Sequence, residues 1–117
     1  MINWPKNYDE KKVKEANELV PKELLEAKEE LYGYTYLGKC FVFKSITYTE
    51  WINLPEGLNL EGKTEDVAAQ LINKKICDIC LLNGKEYLEN LPGLVMSIAN
   101  MVYKISGFGE LGVAIEY

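Results

Sequence analysis

The first third of the chain has the periodicity of a charged amphipathic helix. Between Asp9 and Tyr32, apolar residues recur at steps of three and four positions, so they form one stripe. Pro21 falls inside this pattern, where it has no amide hydrogen to donate and its ring crowds the preceding turn. The pattern therefore predicts either a kinked helix or two helices, the second starting with Pro21 at its first position. The stripe consists of Val13, Ala16, Val20, Leu24, Ala27 and Leu31.

This segment is also strongly charged, because positions 9–30 carry eight carboxylates and five lysines. Two interpretations are open. The segment lies on the rest of the domain through its narrow apolar stripe, or it is a helical arm that grips a partner. We describe residues 1–32 as a charged N-terminal helical arm.

Residues 33–46 change to an aromatic and β-branched composition. The two runs 33–37 and 40–46 are separated by Gly38 and Lys39, which predicts a β-hairpin. In the second run, Phe41 and Phe43 share one face, and Cys40 and Val42 share the other. A two-stranded hairpin is marginal by itself, so one face must pack on helices.

Two helices are predicted to follow the hairpin. Thr47 and Glu50 have the spacing of a capping box and begin a short helix that ends near Pro55. Thr64 caps a longer helix, which the Asn83-Gly84 pair is expected to end.

The last predicted helix spans residues 92–106 and is apolar on most of its circumference. Nine of the twelve residues from 94 to 105 are apolar, and the polar ones, Ser97, Asn100 and Lys104, form one narrow stripe. Such a helix lies either in the core or against another chain. Gly107-Phe108-Gly109 follows a helix C-terminus, so we interpret it as a helix stop rather than a phosphate loop. The apolar tail 110–117 then either pairs as a strand or docks as an arm.

These elements predict an α+β fold that is mostly helical. One β-hairpin packs on a small helical bundle, and the charged N-terminal helical arm precedes it. Residues 33–117 form the globular part, and the 117-residue length suits a single domain overall.

The composition excludes several kinds of chemistry. The chain has no histidine and no arginine, so an imidazole base, an imidazole metal ligand and an arginine clamp are all impossible. The net charge of −5 disfavours a nucleic-acid partner. The longest apolar stretch is shorter than the roughly 20 residues that cross a bilayer, and no secretion signal begins the chain, so we expect no membrane partner. We predict a protein that is not an enzyme and has no catalytic residue.

The three cysteines are Cys40, Cys77 and Cys80. The Cys77–Cys80 pair has CxxC spacing, but zinc needs four ligands and no histidine is present to complete the set. The pair is also predicted near a helix end, whereas a redox pair lies at a helix start, where the dipole lowers the thiol pKa. We expect buried structural thiols and no metal or cofactor, with a redox or metal role as the alternative.

Three features in residues 38–109 carry a resemblance to a known class of protein. The aromatic strand 41–44 leads into a helix start that contains Thr47, Glu50 and Trp51. A middle helix begins with the acidic sequence of residues 64–67. The sequence of residues 91–94 then opens an apolar helix that ends in residues 105–109. In this order the features resemble tailed-bacteriophage proteins of the tail assembly chaperone or baseplate hub assembly type.

The resemblance implies a non-enzymatic role in the host cytoplasm. Proteins of this type bind an aggregation-prone tail component, the tape measure or a hub protein, until the tail is built. An apolar groove made by the last helix and the hairpin could mask an apolar segment of such a partner. The expected contact residues are Phe41, Phe43, Trp51, Leu94, Ile98, Met101, Val102, Ile105 and Phe108.

Two other functions compete with the chaperone or adaptor. The protein could be a structural tail or baseplate subunit that stays in the virion, where it could form a homo-oligomer. It could also be a small acidic protein that binds and regulates a host factor. A chaperone should be missing from purified particles, whereas a structural subunit should be present in them.

Overall fold

The computed structural model describes residues 1–108 and 115–117 and shows an α+β fold. Five α-helices and a three-stranded sheet make up the described part of the chain. In order, the elements are β1 (Ile2–Asn3), α1 (Glu10–Glu18), α2 (Lys22–Leu25), β2 (Leu31–Tyr36), β3 (Lys39–Phe43), α3 (Tyr48–Ile52), α4 (Glu65–Cys80), a 3₁₀ turn (Lys85–Tyr87) and α5 (Pro92–Ile105).

The predicted β-hairpin is confirmed. Strands β2 and β3 are antiparallel, with register from Tyr32 opposite Phe43 to Tyr36 opposite Lys39. The connecting residues are Leu37 and Gly38, one position earlier than expected, and both have positive φ, at 52° and 76°. This is the backbone that two-residue hairpin turns adopt, because it matches the twist of the strands.

A third strand, β1, was not predicted. It pairs in parallel with the start of β2, with Ile2 opposite Leu31 and Asn3 opposite Tyr32. The sheet order is therefore β1-β2-β3. A strand of two residues has no periodicity of its own, so the sequence offered no signal for it.

The two faces of the hairpin are buried against different partners, as the alternation predicted. Phe41 and Phe43 pack into the main core with α4 and α5. Cys40 and Val42 pack on the other face with Val20 and a second, smaller apolar cluster from the N-terminal segment. The sheet therefore lies between α4–α5 and the N-terminal helices.

Residues 9–32 were predicted to form either a kinked helix or two helices, and the structure has two helices, α1 and α2. Pro21 is the N-cap of α2 rather than its first helical residue. The residues from Leu31 onward belong to strand β2, so the boundary placed after residue 32 falls inside a strand. Ala16, Val20 and Leu31 of the stripe are buried, and Val20 and Leu31 belong to the same apolar cluster. The N-terminal segment packs on the domain.

The end of α4 is also corrected. The helix stops at Cys80 rather than at Asn83-Gly84, because Leu81 is extended and forms a bridge with Phe43. The Leu82 amide then donates to the Val42 carbonyl at 2.8 Å. The Asn83 side chain also bonds to the backbone of β3. Its amide oxygen accepts from the Val42 amide at 2.7 Å, and its amide nitrogen donates to the Cys40 carbonyl at 3.0 Å. Strand pairing with β3 therefore takes over where the helix ends.

The end of the chain docks on the sheet. Tyr117 packs edge-on against Tyr32 and Phe43, with ring centroids 5.4 Å and 6.2 Å away, and its hydroxyl donates to the Gly33 carbonyl at 3.0 Å. The Lys6 amide donates to the carbonyl of residue 116 at 2.6 Å. Residues 109–114, which include most of the predicted tail, lie outside the described residues.

Candidate partner-binding surface

Six of the nine predicted contact residues lie in the core. Each has an exposed fraction of 1% or less, so none can touch a partner in this structure. These predicted contact residues are buried because α4 and the sheet cover the apolar face of α5, which the sequence analysis had assigned to a partner. The buried residues are Phe41, Phe43, Leu94, Ile98, Met101 and Val102.

The other three predicted residues keep contact with solvent. Trp51 is 39% exposed and Phe108 is 38% exposed, while Ile105 is half-buried. The fold brings Trp51 and Phe108 together, with ring centroids 5.2 Å apart, although they are far apart in the sequence. These two rings are the centre of the candidate surface.

Two tyrosines that the sequence analysis missed extend this pair. Tyr48 lies 6.3 Å from Trp51 between ring centroids and is 75% exposed. Tyr103 meets Phe108 edge-on at 5.4 Å. We call Tyr48, Trp51, Tyr103 and Phe108 the aromatic patch. Ile52, also exposed, is next to Trp51 on α3.

The start of α3 holds Trp51 in place. The predicted capping box is confirmed: the Thr47 hydroxyl accepts from the Glu50 amide at 3.2 Å, and the Glu50 carboxylate accepts from the Thr47 amide at 3.0 Å. The Lys44 ammonium lies 2.8 Å from the same carboxylate. Burial would raise the pKa of Glu50, but the hydrogen bonds from Lys44 and Thr47 and the Lys44 charge outweigh it and hold that pKa below its usual value. The carboxylate therefore stays ionised and keeps α3 capped.

The end of α5 holds Phe108 through a Schellman motif. The Phe108 amide donates to the Tyr103 carbonyl at 3.1 Å, and the Gly107 amide donates to the Lys104 carbonyl at 3.2 Å. Gly107 has φ 91°, which this motif requires, and the Tyr103–Phe108 contact is the apolar pair that usually accompanies it. The Ile46 amide donates to the Ser106 hydroxyl at 3.0 Å, so the two ends that carry the patch are tied together.

Replacing Gly107 with alanine is expected to lower the free energy of unfolding by about 1–2 kcal/mol, because an L side chain is strained at positive φ. Within the described part of the chain, no atom lies within 4 Å of the added Cβ, so the expected cost is conformational. Urea unfolding measures it. Gly107→Asn is the matched control and should cost less, since asparagine tolerates this backbone. Equal stability of Gly107→Ala and the parent protein would contradict the motif.

Comparisons with known proteins provide no relative from which a role for the aromatic patch could be inferred. No protein-family model, curated protein or solved structure matches this chain. Among the residues that the structure describes, no helix combines the length and apolar character needed to cross a bilayer.

The three thiols are buried and unpaired by any disulfide in the described structure. Burial raises the pKa of Cys77 to about 12 and that of Cys80 to about 11, and the Cys77 thiol donates to the Val95 carbonyl at 3.4 Å. Burial also raises the pKa of Cys40 to about 12. Within residues 1–108 and 115–117, no cluster of three or more metal-ligating side chains is found. The thiols are protonated at neutral pH and are therefore poor nucleophiles.

We expect the native protein to resist thiol reagents at neutral pH and to show all three thiols once it is denatured. Raised thiol pKa values also make stability pH-dependent. The protonated, buried thiols contribute their full stabilisation below the pKa of an exposed thiol, about 8.5. This stabilisation is lost as the pH rises from there through the pKa values of the thiols in the folded protein. Ellman's reagent, with and without denaturant, checks the first expectation. Rapid labelling of Cys77 or Cys80 in the native state would contradict it.

Proposed function

We propose that this protein is a non-enzymatic assembly chaperone or adaptor of a phage tail or baseplate. It acts in the host cytoplasm and holds an apolar segment of a tail component, the tape measure or a hub protein, on the aromatic patch. The observation that carries this proposal is the pair of exposed rings, Trp51 and Phe108, that two helix ends hold side by side. The phage context rests on the resemblance of residues 38–109.

The patch has the properties of a binding centre. Large aromatic side chains dominate the energetics of protein interfaces, and Trp and Tyr are enriched among their most important residues. The capping box and the Schellman motif set the two backbones that carry the rings. Because the backbone that carries each ring is already ordered, little conformational entropy is lost there when a partner binds. A partner would cover rings that otherwise face water.

The chemistry of the described residues supports a binding role rather than catalysis. The chain has no histidine to serve as a general base. The thiols of Cys77 and Cys80 are protonated and buried at a helix end. A nucleophile paired with a base, which covalent catalysis needs, is therefore difficult to assemble.

Co-expression with the tail and baseplate proteins of the same genome tests the proposal. We expect a stable complex with one large tail component, which resists aggregation only when this protein is present. Mass spectrometry of purified particles should then find that component without this protein. Stoichiometric retention in particles would instead identify a structural subunit. Binding only to a host protein would identify a regulator, and either result overturns the proposal.

A further inference from the structure

The chain segment that carries Trp51 is strongly acidic. Residues 47–66, which include α3 and the loop that leads to α4, contain five carboxylates and one lysine. This segment therefore accounts for −4 of the net charge of −5. Trp51, in the aromatic patch, therefore belongs to a segment with a net charge of −4, and the charged residues 9–30 carry a further net −3.

Most of these carboxylates have no internal partner. Glu50 is neutralised by Lys44, but the other four are exposed and form no ion pair within the described residues. The nearby Lys75 ammonium bonds to the carbonyl oxygens of Asn53 and Glu56 and not to a carboxylate. A binding partner can therefore meet uncompensated negative charge here. The four carboxylates belong to Glu56, Glu61, Glu65 and Asp66.

The rings of the aromatic patch are also open to a cation. Elsewhere, Lys12 lies 4.1 Å from the centre of the Tyr8 ring and Lys39 lies 5.0 Å from that of Tyr87. Across residues 1–108 and 115–117, no lysine occupies such a position over a ring of the aromatic patch. Aromatic faces carry negative potential and attract ammonium and guanidinium groups.

We propose that the partner segment that docks on the aromatic patch is amphipathic and basic. Its apolar side chains contact Trp51 and Phe108, and its lysines or arginines face the carboxylates of residues 47–66. This inference rests on the proposed function, because it names the chemistry of the partner at the same surface. A second copy of this chain is the weaker occupant, since a symmetric contact would place two acidic segments against each other.

Two synthetic helical peptides with the same leucine positions test this inference, one with lysine and one with glutamate at every polar position. Calorimetric titration of the full chain should show binding of the lysine peptide that is at least about tenfold tighter, a difference of about 1.4 kcal/mol. High salt should shrink the difference, because exposed charges are screened. A Trp51→Ala/Phe108→Ala variant should lose this binding, whereas Met96→Ala, at the other end of α5, should keep it.

Each other outcome overturns the charge preference in a different way. Equal binding of the two peptides, lost in the Trp51→Ala/Phe108→Ala variant, leaves the aromatic patch as a docking site but removes its preference for basic partners. Binding of the lysine peptide that survives this variant places the site elsewhere on the acidic surface. Binding of neither peptide rejects the inference, while the co-expression test decides the proposed function independently.

Discussion

Replacing Phe43 with alanine is expected to lower the free energy of unfolding by about 3–5 kcal/mol, the usual cost of deleting a buried phenylalanine ring. Phe43 has no exposed surface and packs against Tyr32 and Tyr117, with ring centroids 6.2 Å away in each case. It also bridges to Leu81, where α4 gives way to the sheet edge. Because a domain of this kind is stable by only about 5–15 kcal/mol, the variant should be close to unfolding.

Urea unfolding followed by circular dichroism measures this loss. Tyr48→Ala is the matched control, since Tyr48 is 75% exposed and its removal should change stability by no more than about 0.5 kcal/mol. A loss below about 1 kcal/mol for Phe43→Ala would be too small for a buried ring. That result would support the prediction from the sequence that Phe43 is a partner-contact residue.

Replacing Trp51 and Phe108 together with alanine is expected to weaken partner binding by about a hundredfold or more. A central interface ring contributes about 2 kcal/mol or more when it is truncated, and about 1.4 kcal/mol is tenfold in affinity. The two rings touch, so their single effects should not add up fully. Because each ring is more than one-third exposed, the loss of stability should be smaller than for Phe43→Ala.

The affinity of the purified complex with its tail component, measured by calorimetry, checks this prediction. Met96→Ala is the control, because Met96 is an exposed apolar residue, 58% accessible, at the other end of α5. The Trp51→Ala/Phe108→Ala variant should bind the tail component more weakly, whereas Met96→Ala should bind it as the parent protein does. If Met96→Ala abolished binding and the Trp51→Ala/Phe108→Ala variant kept it, the docking site would lie on the N-terminal half of α5.

The fold was predictable where a few neighbouring residues decide the structure. The capping box at Thr47 and the N-cap at Thr64 both marked their helices correctly. The structure differs from the prediction where contacts with a distant segment determine the local conformation. Strand β1 exists because β2 pairs with it, and α4 ends early because β3 takes over the hydrogen bonds of Leu82.

The candidate surface was harder to predict for the same reason. Periodicity identified α5 as apolar but could not say which neighbours cover it, so core residues such as Ile98 were taken for contact residues. The sequence identified Trp51 and Phe108 as contact residues but not their pairing, because the two rings meet only through the packing of distant segments. Tyr103 had a usable signal: it precedes Phe108 by five positions, the spacing of the apolar pair in a Schellman motif around Gly107.

Hydrogen–deuterium exchange, measured on the free protein and on its complex with the tail component, tests most directly whether the partner docks on the aromatic patch. We predict slower exchange on binding at residues 47–54 and 103–108, with the amides of α1 and α2 unchanged. Slower exchange confined to α1 and α2, with none at the aromatic patch, would contradict the assignment.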